Sequence, residues 1–286
     1  MTRAVVLRAR HVLPGNGPAL ENGWIRIVGG RIVASGAGRP GTTAIDLGDA
    51  VILPGLVNAH THLEFSGCAR PFDAAGGLPA WIHRVVAWRR ERDATGEAAP
   101  LQDAAIHAGL HECVARGVTA VGEIATGPAR FLPAPGLPRL RVFREALGLS
   151  AATSEAAARG LARDLDRLSA RGIAAGISPH APYSVAAPLA ARLTREITAR
   201  RLPVAMHLAE SLEEAALLAT GGGPLRRVLE DLGAWRPESP PQLLPVADWI
   251  TRLARAPRGI VVHGTHLPAD AHALARLARH RDRLCV

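Results

Sequence analysis

From Pro54-Gly55 onward, short apolar runs alternate with longer Arg- and Ala-rich stretches, and this rhythm restricts the fold more than any other feature of the chain. The apolar runs are Gly55–Thr61, Val118–Ile124, Leu140–Gly148, Ala174–Ser178, Pro203–Leu208 and Gly259–His263, and a seventh begins at Arg283-Leu284-Cys285-Val286. Between them, segments such as Thr153–Ala170 and Pro188–Arg201 carry apolar residues at helical spacing. Repeated strand–helix units predict parallel strands joined by right-handed crossovers. Two architectures satisfy that rule, an open doubly wound sheet and a closed eight-stranded barrel. No Gly-x-Gly-x-x-Gly turn follows the first of these strands, which weighs against a dinucleotide-binding version.

Residues 1–53 read differently. Ala4–Ala9, Gly23–Val28, Arg31–Ser35 and Asp46–Leu53 are strand candidates, with a turn at Gly29-Gly30. The expected organisation is therefore a small β domain over 1–53 and an α/β domain over 54–286. The Pro-rich stretch Ala234–Ala247 is expected as an irregular loop.

Composition narrows the function classes. The chain of 286 residues is 48% hydrophobic, enough to build a large core. Its net charge of +9 raises nucleic acid as a partner, but every basic residue is Arg, and they are spread through helical stretches rather than clustered. Aromatics are only 3%, too few for base stacking. No apolar run is long enough to span a membrane, and the first residues lack the apolar core of a signal peptide. A cytoplasmic protein acting on a small molecule is the expectation, with self-association left open. Cys68, Cys113 and Cys285 are too scattered for a zinc knuckle or a disulfide framework.

The chemistry-bearing residues recur at strand ends, where parallel α/β folds place their sites. In Asn58-Ala59-His60-Thr61-His62-Leu63-Glu64, His60 and His62 are two apart, so a strand points both imidazoles to one face. Paired neutral imidazoles suit zinc or iron(II). His207 ends the run Val204–Leu208 and can supply a third nitrogen. Glu210 follows where the strand turns into a helix, placed to move a proton to and from water. Glu213 and Glu214 read as ordinary acidic residues at a helix N-terminus. His263 ends another strand and can orient water or serve as a ligand. His180 lies in the rigid turn Ser178-Pro179-His180-Ala181-Pro182-Tyr183, suited to holding a substrate. The other seven histidines read as structural or solvated.

These motifs together resemble the amidohydrolase superfamily. Leu53-Pro54-Gly55-Leu56-Val57-Asn58-Ala59-His60-Thr61-His62 is similar to its opening signature, and Ser178–Tyr183, His207–Glu210 and Val262-His263-Gly264 follow in the family's order. The resemblance is nearest to the deaminase and chlorohydrolase branch. Within it, His60–Ser66 and, more weakly, Leu78–Ile82 resemble aminodeoxyfutalosine deaminases. It implies a (β/α)8 TIM-type barrel with a small β-sandwich built from both chain ends. It implies one divalent metal ion, zinc with iron as the alternative, held by His60, His62 and His207. Glu210 would shuttle protons, His263 would orient water and His180 would contact substrate. The reaction implied is hydrolytic deamination of an aminated purine-like heterocycle through metal-activated water, with dechlorination or cyclic-amide hydrolysis as alternatives.

The sequence departs from the family in one respect. The family's strand-eight Asp, in a Gly-Thr-Asp-Ser-like motif, has no counterpart before Val286. The expectation is an incomplete barrel, truncated near strand seven, with open edges along its first and sixth strands. An inactive fragment is the alternative for the chain as it stands.

Overall fold

The computed structural model describes residues 4–127, 131, 134–267 and 270–286. It divides into two compact units, Met1–Leu56 and Val57–Val286.

The first unit is built of short strands: β1 (Val5–Arg8), β2 (His11–Val12), β3 (Leu20–Glu21), β4 (Gly23–Val28), β5 (Arg31–Ala37), β6 (Ile45–Asp46) and β7 (Val51–Ile52). They form a four-stranded sheet in the order β5-β4-β1-β6 and a three-stranded sheet in the order β3-β2-β7. Gly29 and Gly30 turn β4 into β5 with φ of 58° and 74°, the left-handed pair that a tight two-residue hairpin demands. The expected strand Asp46–Leu53 is in fact two, because the chain turns at Gly48, with φ of 68°, and each piece pairs in a different sheet. β2 and β3 went unseen in the sequence, since two-residue strands carry no readable alternation.

The second unit contains one curled, all-parallel, seven-stranded sheet: β8 (Leu56–Thr61), β9 (Val118–Ala125), β10 (Arg139–Ala146), β11 (Ala174–Pro179), β12 (Val204–Leu208), β13 (Gly259–His263) and β14 (Leu284–Cys285), adjacent in chain order. A short 3-10 turn, Leu63–Gly67, follows β8. The helices are α1 (Gly77–Ala94), α2 (Ala98–Ala115), α3 (Ala151–Ala170), α4 (Ala187–Arg200), α5 (Leu212–Thr220), α6 (Pro224–Asp231), α7 (Val246–Leu253) and α8 (Ala271–Arg279). This is the incomplete TIM-type barrel that the family resemblance implies, built from the parallel strand–helix units that the rhythm predicts. Two details differ. The expected loop Ala234–Ala247 ends two residues early, where Pro245 caps α7 in an extended conformation suited to a helix start. The open edges are β8 and β14, the first and seventh strands of the sheet rather than the first and sixth, because Leu284 and Cys285 pair with Gly259 and Ile260.

The core follows from strand burial on both faces. Every residue of β12 is buried, as expected for a central parallel strand covered by helices. Outside the sheet, Leu189, Leu193 and Ile197 of α4, with Leu161 and Leu165 of α3, pack against Ile177, Val204 and Met206. Inside the curl, Phe143 gathers Ile124, Ala205 and Val262. Its ring has room because glycines stand beside it. A Cβ on Gly176, its partner on β11, would lie 2.4 Å from the ring, and one on Gly122 of β9 would lie 2.3 Å from the Ala59 carbonyl oxygen.

Candidate metal and substrate site

The carboxyl ends of β8, β10, β11, β12 and β13 open into a cavity of about 1220 Å³. His60 lies within β8 and His62 just after it, and both reach His207 near the end of β12. His60 Nε2 lies 2.8 Å and His62 Nε2 3.3 Å from His207 Nε2. The three nitrogens fall within 4.8 Å of one another. A tetrahedral ion with metal–nitrogen bonds of about 2.0–2.1 Å separates its ligand nitrogens by about 3.3 Å, so this cluster has close to the required size.

The tautomers fit as well. The His180 carbonyl can only accept, so His207 Nδ1, at 2.9 Å, carries the proton and donates it. His207 Nε2 is left as a lone pair facing the other two rings, the arrangement in which an outer hydrogen bond aims a metal-ligating imidazole. His62 Nδ1 is buried with no partner among the described residues. Burial is the largest cause lowering the pKa of all three rings. His60 falls to about 4, assisted by His263, and His62 to about 3, assisted by His60. His207 is held well below the usual imidazole value, with His180 and His62 contributing next. Neutral imidazole is the form that binds a metal. The residue set fits one divalent ion.

Around this cluster stand the other expected residues. His180 follows β11, and its Nδ1 lies 2.6 Å from Ser184 Oγ. The Ser184 oxygen also lies 3.1 Å from the Ala181 carbonyl, so the pair fixes the orientation of the His180 ring and leaves Nε2 facing the cavity side. Burial, followed by the Arg89 charge, lowers this imidazole to about 3. His263 packs against His207 with ring centroids 5.5 Å apart, and its Nε2 lies 3.4 Å from Glu210 Oε1. Burial raises the Glu210 carboxyl above its ordinary value, while His263 draws it down.

The backbone at these strand ends is strained. Ala209 and His263 have φ of 53° and 68°, a left-handed conformation costly for residues bearing a Cβ. Glu214 explains how the first is held. It is fully buried, and its carboxylate accepts from the backbone N–H groups of Ala209 at 2.9 Å and Glu210 at 3.2 Å. Its own N–H donates to Ser211 Oγ at 3.2 Å. Glu214 is thus no solvated helix-end charge; it fixes the turn that carries Glu210. The signal was available: Ser211-Leu212-Glu213-Glu214 has capping-box spacing.

Three further acidic residues went unpredicted. Glu123 is buried in β9 and accepts from the Leu63 N–H at 2.8 Å, bracing the turn after His62. Glu64 pairs with Arg89 of α1. Glu145 lines the cavity near the end of β10, 5% exposed, and its Oε1 lacks a partner. Burial pushes it up to about 7, against the opposing charge of Arg89. In sequence, Glu145 lies inside the strand candidate Leu140–Gly148 beside Arg144, and no spacing marks it as a cavity residue.

Comparison with known proteins agrees with this layout. The chain is 32% identical to the aminodeoxyfutalosine deaminase of Deinococcus radiodurans, over 93% of this chain and 64% of the relative. It is 30% identical to a 5-methylthioadenosine/S-adenosylhomocysteine deaminase of Nitratidesulfovibrio vulgaris, over 73% of this chain and 47% of the relative. It therefore spans less than two thirds of either relative's length. Among solved structures, Helicobacter pylori aminofutalosine deaminase in complex with methylthio-coformycin superposes with a TM-score of 0.76 at 22% identity, covering 98% of this chain and 69% of that one. A zinc complex of atrazine chlorohydrolase from Arthrobacter aurescens superposes at 0.61 and 16% identity, over 98% of this chain and 70% of that one. The amidohydrolase family profile matches residues 51–286, a span that contains every histidine of the cluster and the whole parallel sheet, and the chain belongs to that family.

Proposed function

We propose that this protein contributes the metal-binding face of a hydrolytic deaminase acting on an aminated, purine-like heterocycle. The observation that carries the reading is the convergence of His60, His62 and His207 on one point at the floor of the cavity, with Glu210 and His263 paired beside it. Those three imidazoles would hold one divalent ion, with zinc the best match to an all-nitrogen set and iron(II) the alternative. When bound, the ion supplies Lewis acidity and lowers the pKa of water.

The remaining steps belong to the chain's own side chains. Glu210 takes a proton from the attacking water and returns it to the departing amine, a role suited to a carboxyl raised by burial. His263, 3.4 Å away, holds that water in line and draws the Glu210 carboxyl down against the effect of burial. His180 presents Nε2 to the heterocycle, its other nitrogen being tied to Ser184. Several turns of α1, including Leu78, Trp81 and Ile82, give the cavity an apolar wall against which a planar ring can lie. The names of the two relatives cited, an aminodeoxyfutalosine deaminase and a 5-methylthioadenosine/S-adenosylhomocysteine deaminase, support this reaction class.

Metal analysis tests the reading directly. One equivalent of zinc should bind to the folded protein and be lost in His207→Ala. A correctly folded protein that retains no divalent ion overturns the proposal.

A further inference from the structure

His207 and His62 are aimed by different means. His207 donates Nδ1–H to the His180 carbonyl, and that bond sets the direction of its ring. His62 Nδ1 is buried and has no partner among the described residues. No bond at its far nitrogen turns the His62 ring toward the cluster, so its direction comes from the backbone that carries it. That backbone leads into the 3-10 turn Leu63–Gly67, which His62 precedes without a side-chain cap. The first N–H of the turn, on Leu63, would be an orphan if nothing distant in sequence accepted from it. Glu123 of β9 does so, its Oε2 lying 2.8 Å from Leu63 N across 60 positions of sequence. A backbone N–H only donates, so this bond stands whether or not the carboxyl carries a proton.

Little else about the position favours a carboxyl. Residues two apart on a strand share a face, so Glu123 lies between Val121 and Ala125. Both belong to an apolar cluster with Leu63, Ile106 and Leu110, and Glu123 itself is 1% exposed. A carboxyl buried on an apolar face costs stability unless its hydrogen bonds offset the loss of water. Glu123 is not among the residues that line the cavity, so the use of that carboxyl lies in the turn it holds. We infer that Glu123 is a positioning residue for His62: by accepting from Leu63 N–H it fixes the turn after that imidazole, and so sets how tightly His60, His62 and His207 hold their ion. This rests on the metal-binding reading and deepens it. Glu64 supports the same turn, pairing with Arg89 and accepting from Thr126 Oγ1 at 3.3 Å, but those bonds hold a side chain rather than the backbone next to His62.

The experiment measures the zinc Kd by competition with a chromophoric chelator, and the visible spectrum of the cobalt(II)-substituted protein. Glu123→Leu suits the apolar face but removes the acceptor. It is expected to weaken zinc binding by about tenfold to hundredfold, the usual cost of losing a residue that orients a metal ligand, and to alter the cobalt spectrum. Glu123→Gln keeps an acceptor oxygen at the same reach without the charge, and should restore both readouts. Glu123→Asp keeps the charge but falls a methylene short of Leu63. Should Glu123→Leu fail to fold, Glu123→Asp takes its place, with a loss in the same direction. Phe143→Ala, on the other face of the sheet, controls for stability: it should unfold more easily and keep its zinc Kd. A Glu123→Leu or Glu123→Asp protein that is less stable but keeps its zinc affinity and cobalt spectrum marks Glu123 as merely structural and overturns the inference. Glu123→Gln failing as badly as Glu123→Leu also overturns it, since the acceptor would then not be what matters. If the unaltered protein binds neither zinc nor cobalt, the metal-binding reading itself fails, and this inference with it.

Discussion

The two ends of the same parallel strands are built to opposite rules. At the carboxyl ends, the cavity floor collects His60, His62, Glu145, His180, His207 and Glu210, with strained backbone at Ala209 and His263. At the amino ends, a smaller cavity of about 640 Å³ is walled by Val57, Ala59, Phe143, Val204, Ile260 and Leu284, with Arg139, Arg141, Arg258 and Arg283 around it. One end carries unsatisfied polar groups and distorted dihedrals. The other is ordinary packing with long charged side chains at its rim. The contrast separates cost from support: the upper end concentrates groups that destabilise a fold, and the packed strands below hold them in place.

That separation can be broken at either end, and the largest expected effect is at the upper one. Glu210→Gln should retain zinc and a normal unfolding curve, yet lower the rate of ammonia release by about 10²–10⁴-fold, the usual contribution of a positioned acid–base group. Stopped-time ammonia assays beside metal analysis read both quantities. A variant that loses its zinc would place Glu210 among the ligands instead.

The lower end should respond in stability alone. Phe143→Ala removes the ring that Gly122 and Gly176 make room for, at a cost of about 3–5 kcal/mol. Urea unfolding measures this, and zinc stoichiometry in the folded fraction should not change. Loss of zinc from that fraction would mean that the two ends are coupled more tightly than the packing implies.

The smallest effect is again at the upper end, at Glu214. Its carboxyl is pushed up to about 7, first by burial, against the pull of the two backbone N–H groups it accepts from. The unfolded chain loses this proton near the ordinary glutamate value of about 4.3. Between there and about 7 the native state holds a proton that the unfolded state has released, so stability falls as pH rises through that window and levels off above it. In urea titrations across pH, Glu214→Gln should show a shallower decline than the unaltered protein. Parallel curves would show that Glu214 is ionised throughout.

How far the sequence could be read depended on whether a feature was periodic or convergent. The strand at Gly259–His263 and the helix ending at Ala170 were legible because burial repeats along them. Each histidine at a strand end was legible because parallel folds use those positions. β2, β3 and the break at Gly48 were not, being too short for any period to register. Among the described residues, no helix is long and apolar enough to cross a membrane, which agrees with the absence of a long apolar run.

The sequence by itself determined the alternation of strand and helix, the parallel sheet that follows from it, and the placing of His60, His62, His180, His207 and His263 at strand ends. Those are local properties, set by side-chain period and by where apolar runs stop. Tertiary structure alone decided which polar groups face one another. Glu145 and Arg89 stand 56 positions apart and line one cavity, and Glu214 turned out to hold a strained turn. A carboxylate's role depends on what is buried beside it, and that neighbourhood exists only once the strands have curled together.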